Sequence, residues 1–383
     1  MKNGFKVMDS DLHTMEPDGL WEKYLDEPFK AFAPRFARRA DQAPNQPSIH
    51  VGDLAIGEFG TRAGARAVGL DLHQRAVARH AHNDLAMARG YDAETHVMAM
   101  DIEGIDVGVL YGTRGRQVQM HDDLDPRVAE ALARAHNNWT HDYCAYAPTR
   151  LRFAAQLPFH DAALAAREAR RAVRELDAVA VIGNPNPING RHIHDPEFDV
   201  LWDTLEELGV PVGFHPTGQS SLRDDIARRV LDHPNGRLIG SAARNPVELM
   251  LAFASMAAGG VLERHPGLRC AFLEGTCGWL PWWLWRLDEA WEKFGPGSEV
   301  QLSRTPSEYF HRQCFVATDA DETVLKQVIE VVGDDSIVVS TDYPHSDGLF
   351  PEAIEEFVKL PGVSEASKRK ILWDNCARLY NLA

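Results

Sequence analysis

Short, almost continuous apolar runs that stop at Gly, Pro, Asp or His alternate along this chain with longer segments rich in Ala, Leu, Glu and Arg. Eight runs can be counted, near Phe5 to Asp11, Val107 to Tyr111, Phe153 to Leu157, Ala178 to Ile182, Val212 to His215, Cys270 to Glu274, Cys314 to Thr318 and Ile337 to Thr341. Unbroken apolarity suits strands covered on both faces, the condition of a parallel sheet flanked by helices. Helical patterns are clearest at Asp125 to Ala147, Ala162 to Leu176, Glu197 to Leu208, Pro246 to Arg264, Asp321 to Val332 and Ser364 to Leu382. Eight βα units in 383 residues predict an α/β fold, a (β/α)8 TIM barrel, which runs from about 200 to more than 400 residues. Residues 17–95, rich in Pro, Gly, Arg and His with few periodic apolar positions, break the alternation. They read as a long insertion after strand 1, forming a cap over the barrel mouth within a single domain of residues 1–383.

Hydrophobic residues at 44% and charged residues at 25% give a soluble chain with ample core. A net charge of −16 with no dense Lys/Arg run repels a polyphosphate backbone, so nucleic acid is not an expected partner. Cys144, Cys270, Cys277, Cys314 and Cys376 are odd in number and scattered, without a Cys-x-x-Cys pair, which suits a reducing, cytoplasmic setting. No stretch approaches the ~20 apolar residues of a membrane span, and Asp9 and Asp11 arrive before any signal-like apolar core.

Active sites of (β/α)8 barrels lie where the C-terminal strand ends converge. Strand one ends in Asp11-Leu12-His13, strand five in His215, strand six in Glu274 and strand eight in Asp342. Imidazoles and carboxylates ligate zinc, iron or manganese, and the i, i+2 spacing of Asp11 and His13 aims both inward from an extended segment. Taken singly, each such residue reads as a helix cap or a satisfied polar group. Together on separate strands they predict a centre of one or two divalent ions, which would neutralise carboxylates that otherwise repel or retain protons.

The segments Asp9 to Pro17, Phe214-His215-Pro216, Phe272 to Pro281 and Ser340 to His345 together resemble the amidohydrolase-2 family, which includes aminocarboxymuconate semialdehyde, resorcylate and carboxyvanillate decarboxylases. The resemblance implies that Asp11 and His13 form the first-strand metal pair, that His215 is the fifth-strand ligand, and that Asp342 both touches metal and moves protons. It also implies a homodimer. Two departures stand out: Asp11 replaces a His or Glu common in relatives, and Glu274 stands where the decarboxylases place a catalytic His. An added carboxylate can serve a second ion, a centre of the kind that activates water.

The expected catalytic residues are therefore Asp342, Glu274 and His215. His345 reads either as a substrate contact or as a loop residue, and Asn184, Asn186, His192 and His194 as pocket lining or solvated loop. Trp279, Trp282 and Trp283 recur at near-helical spacing, so Trp279 belongs either to a helix packed on the barrel or a second subunit, or to an aromatic wall for a bulky small-molecule substrate. The leading expectation is hydrolysis of an ester, thioester, lactone or carbon-carbon bond next to a carbonyl by metal-activated water. The alternatives are non-oxidative decarboxylation of an aromatic or muconate-type acid, and a non-catalytic binding barrel.

Overall fold

The computed structural model describes residues 1–17, 19–37, 48–58, 81–216, 224–230, 233–345 and 348–382. Eight parallel strands form the barrel: β1 (Met8–Thr14), β2 (Val107–Gly112), β3 (Leu151–Ala155), β4 (Ala180–Gly183), β5 (Val212–Phe214), β6 (Cys270–Phe272), β7 (Cys314–Asp319) and β8 (Ile337–Ser340). All eight expected runs are strands. The first lies three residues later than its apolar pattern suggested, because Asp9, Ser10 and Asp11 are polar yet fully buried. That shift places Asp11 and His13 inside β1 rather than at its end.

The barrel closes between β8 and β1. Ser10 Oγ donates to Val339 O (2.7 Å), Thr341 N donates to the Asp9 carboxylate (3.2 Å), and His13 N donates to Tyr343 O (2.8 Å). One apolar cluster, containing Leu110, Phe153, Val181, Phe214, Phe272 and Val339, seals the sheet against its helices. A second fills the interior with small side chains, among them Ala154, Ala180, Ala271 and Ala317, beside Met8, Tyr111 and Phe315. Gly213 has a steric reason: a Cβ there would sit 2.3 Å from the Tyr111 hydroxyl, which crosses the interior to meet Tyr380 Oη at 3.1 Å.

The helices Pro126–Cys144, Ala162–Leu176 and Asp199–Leu208 match expectation closely, each starting at an Asp or a 3-10 turn. The helix expected from Pro246 begins ten residues earlier and spans Gly236–Ala258, with Pro246 inside it. Between β1 and β2, strands Arg35–Ala37, Ser48–Val51 and Leu54–Glu58 form a separate antiparallel sheet. Its Ile49 and Val51 pack with Leu20, Trp21 and Leu25 against the Val128 and Leu132 face of helix Pro126–Cys144, so this described part of the insertion covers the barrel's flank. Helix Ala81–Ala88 also belongs to the insertion, while residues 18, 38–47 and 59–80 of the expected cap lie outside the described residues. All five cysteines are buried free thiols, and among the described residues no helix is long and apolar enough to cross a membrane.

Candidate metal centre

Asp11 and His13, two residues apart on β1, point the same way into the mouth, as strand alternation requires. His215 follows β5, Glu274 follows β6 and Asp342 follows β8. His13 Nε2 lies 3.5 Å from Asp11 Oδ1, 3.6 Å from Glu274 Oε2 and 3.1 Å from Asp342 Oδ1. His215 Nε2 lies 3.4 Å from Asp11 Oδ2, 2.7 Å from Glu274 Oε2 and 3.2 Å from His13 Nε2. The structure thus gathers all five residues expected from the sequence. His345 joins them: its ring stacks on His13 with centroids 4.0 Å apart, and its Nδ1 is 2.7 Å from Asp342 Oδ1.

The backbone is bent to achieve this. Glu274, Thr276 and Asp342 hold φ of 55°, 57° and 57°, a left-handed conformation that costs a non-glycine residue about 1 kcal/mol or more and persists where function demands it. Leaving β6 and β8 in that conformation turns the two carboxylates toward the imidazoles rather than onward into the loops.

Asp11 Oδ1 and Oδ2, Glu274 Oε2 and Asp342 Oδ1 are buried and make no hydrogen bond, although buried acceptors are almost always satisfied. His215 Nδ1 lies 2.9 Å from Pro216 O, so that nitrogen carries the hydrogen and donates it, and Nε2 turns a lone pair inward. Four orphaned carboxylate oxygens facing two imidazole nitrogens fit a divalent cation. Two quartets could hold one, Asp11–His13–His215–Glu274 and His13–Glu274–Asp342–His345, which share His13 and Glu274.

Electrostatics agree. Burial pushes the Asp11 carboxyl up to about 8, with Glu274 and Asp342 adding to the rise and His13 opposing it. Burial alone would lower His13, but its close contacts with the Asp342 and Glu274 carboxylates override that and raise the ring to about 10. Both directions say the same thing: this crowd of carboxylates retains positive charge, as protons if not as a metal. Burial would also raise Glu274, yet the close approach of His13 and the charge of Arg116 hold it below the usual carboxylate range.

Residues that the strand-end reading passed over complete the site. Thr113, just after β2, has its hydroxyl 3.3 Å from His13 Nδ1 and 3.0 Å from His345 Nε2. The buried Arg116 donates from Nη1 to Pro216 O (2.8 Å), and its Nε makes no hydrogen bond. Both are positioned by Glu16, whose carboxylate accepts from the backbone N–H groups of Thr113 (3.0 Å), Arg114 (2.8 Å) and Gly115 (3.2 Å) and lies 2.9 Å from His136 Nε2. The signal was available, since the Thr-Arg-Gly-Arg run directly follows an expected strand. Asn245, from helix Gly236–Ala258, donates to Glu274 Oε1 at 3.1 Å and fixes that side chain.

A cavity of about 330 Å³ opens beside the cluster, lined by Asn245, Glu274, Thr276, Asp319, Thr341 and Asp342 among others. Trp279 does not line it. Its ring packs edge-on against Phe272 and its indole N–H donates to Thr276 O (2.9 Å), which corrects the expectation of a substrate contact and leaves it at the start of helix Leu280–Phe294. Asn184 is fully buried after β4, donates to Asn186 O (2.9 Å), and leaves its Oδ1 without a partner. His192 and His194 stack on each other, centroids 5.1 Å apart, with His192 exposed and His194 partly buried against Gly259, and neither lines the cavity.

The sequence model of a family described as amidohydrolase matches residues 71–382. The chain is similar to a gamma-resorcylate decarboxylase from a Polaromonas species, 28% identical over 300 residues, covering 76% of this chain and 87% of that one. Among solved structures it resembles an amidohydrolase from Mycobacterium avium subsp. paratuberculosis, with a TM-score of 0.76 at 22% identity over 98% of this chain and 99% of that chain. It also resembles a Polaromonas dihydroxybenzoic acid decarboxylase holding manganese and the inhibitor 2-nitroresorcinol, with a TM-score of 0.66 at 22% identity over 99% and 97% of the two chains.

Proposed function

Because this chain belongs to the amidohydrolase family, we propose that its strand-end cluster is the active site of a metal-dependent, non-oxidative decarboxylase acting on a hydroxylated aromatic acid. The observation that carries this reading is the pairing of an orphaned N/O donor set with an acid–imidazole couple, Asp342 and His345, of which Asp342 lines the cavity. Curated relatives that match most of the chain are decarboxylases of such acids, which favours this reaction over the hydrolysis expected from Glu274.

In this reading Asp11, His13, His215 and Glu274 hold the cation, with Asp342 beside them at His13, and manganese, which the similar Polaromonas enzyme holds, suits carboxylate and imidazole donors. A divalent cation there would draw electron density from the substrate carboxylate and a neighbouring oxygen. Arg116 adds a fixed positive charge that favours an anionic substrate in an otherwise acidic mouth. The Asp342–His345 couple delivers a proton to the ring carbon that bears the carboxylate. The bond from that carbon to the carboxylate then breaks, carbon dioxide leaves, and its bonding electrons restore the ring. One proton is consumed per turnover, and His345, hydrogen-bonded to Thr113, returns it to Asp342 from solvent.

The test is a panel of mono- and dihydroxybenzoates incubated with manganese-loaded protein while carbon dioxide is followed. Release with stoichiometric formation of the phenol supports the reading. Absence of release across the panel, together with cleavage of aryl esters or lactones, would establish hydrolysis instead.

A further inference from the structure

A second group of ligand-type side chains lies far from the mouth. Helix Asp199–Leu208 runs into the N-terminal end of β5, and His265 lies five residues before the N-terminal end of β6. Both therefore sit on the barrel face opposite the strand ends that carry the cluster. Asp199, Asp203 and Glu206 are spaced i, i+4 and i+7 and share one side of their helix. The buried ring of His265 is set between them.

Its two nitrogens have different surroundings. Nε2 lies 3.1 Å from Asp199 Oδ1, and Asp199 is also held by the Arg264 guanidinium at 2.8 Å. Nδ1 makes no hydrogen bond, yet lies 3.1 Å from Asp203 Oδ1 and 3.8 Å from Glu206 Oε2. Among the described residues no Lys or Arg is paired with Asp203 or Glu206. The other Glu206 oxygen, Oε1, accepts from Gly267 N at 2.6 Å, and a Cβ on residue 267 would sit 2.6 Å from that same atom. Glycine at 267 thus lets the carboxylate lie against the backbone with Oε2 turned to His265.

We infer that His265 Nδ1, Asp203 and Glu206 form a second, structural site for a divalent cation, best suited to zinc, which joins the helix before β5 to the loop before β6. Three ligand atoms lie within 4.8 Å of one another. A tetrahedral zinc with nitrogen and oxygen ligands at about 2.0–2.2 Å needs them roughly 3.4 Å apart, which 3.1 and 3.8 Å bracket. Asp199 on Nε2 supplies the carboxylate that orients a metal-bound histidine and directs the Nδ1 lone pair outward. The side chain of Asp203 is 71% exposed, so the ion would enter from solvent and keep water in its remaining position.

The test compares whole protein with Asp203→Asn and Glu206→Gln, conservative changes remote from the mouth, by equilibrium dialysis against zinc and by melting with and without added zinc. Wild type is expected to bind one equivalent more than either variant, and to show a zinc-dependent rise in Tm several degrees larger than that of either variant, in which only the strand-end cluster responds. Turnover at the strand-end site should be the same in all three, so this result stands or falls separately from the proposed reaction. Equal zinc equivalents and equal Tm responses in the three proteins would overturn the site and leave His265 as an ion-paired linker between Asp199 and Asp203.

Discussion

His345 Nδ1 lies 2.7 Å from Asp342 Oδ1, and that same oxygen is 3.1 Å from His13 Nε2. One carboxylate oxygen is thereby shared between a deeply buried imidazole and a partly exposed one, an arrangement that can pass a proton from solvent toward the cluster.

Asp342→Asn should retain most of the bound metal, since four other donors remain, and lose turnover by about 10²–10⁴-fold. His345→Gln should cost less alone. The double variant should be no worse than Asp342→Asn, because groups that act as a unit are not additive. Steady-state kinetics with metal content checks this, and an active Asp342→Asn enzyme would remove Asp342 from the chemistry.

Chelation should abolish activity and lower Tm, because the oxygens of Asp11, Glu274 and Asp342 would then be compensated by retained protons alone. Adding manganese should restore both, with proton release on binding as Asp11 and His13 give up protons. Elemental analysis at the barrel mouth decides between one ion and two, as His13 and Glu274 are common to both quartets.

Arg116→Lys keeps the charge but loses the planar fork that ties the side chain to Pro216 O. The expected result is a KM for the acid raised by roughly 10-fold or more with kcat less affected, since about 1.5–3 kcal/mol is typical of a charged hydrogen bond. An unchanged KM would mean that Arg116 serves only to hold the loop.

Glu16→Gln puts an amide NH2 among four donors, three backbone N–H groups and His136. Stability measured in denaturant should fall by about 2–4 kcal/mol. Turnover should fall as well, because Thr113 and Arg116 both depend on that turn.

Burial, reinforced by the charges of His13 and His82, pushes His96 down to about 3. The unfolded chain therefore takes up a proton near pH 6.5 that the native ring refuses, so the contribution of His96 is present above pH 6.5 and is lost as pH falls toward 3. Between pH 6.5 and 4.5 that loss is roughly 2 kcal/mol. His96→Phe should flatten this part of the stability profile, and a slope unchanged in the variant would assign the acid sensitivity to other groups.

What the amino-acid order settled by itself was periodic. Apolar runs of strand length, separated by helical spacing, specify eight βα units whatever their neighbours are, and the barrel then brings the strand ends to one rim. Asp11, His13, His215, Glu274 and Asp342 were legible for that reason, each being a ligand-type residue at a run's end. Tertiary structure decided the rest. Thr113, Arg116 and Glu16 matter through distances to residues far off in sequence, and no local pattern encodes a hydrogen bond between a carboxylate at 16 and a turn at 113. Trp279 shows the converse: its helical spacing was visible, but only packing against Phe272 could determine that the indole faces the core rather than the cavity. Local spacing fixes which way a side chain leaves its own element, whereas what it meets depends on how the elements pack.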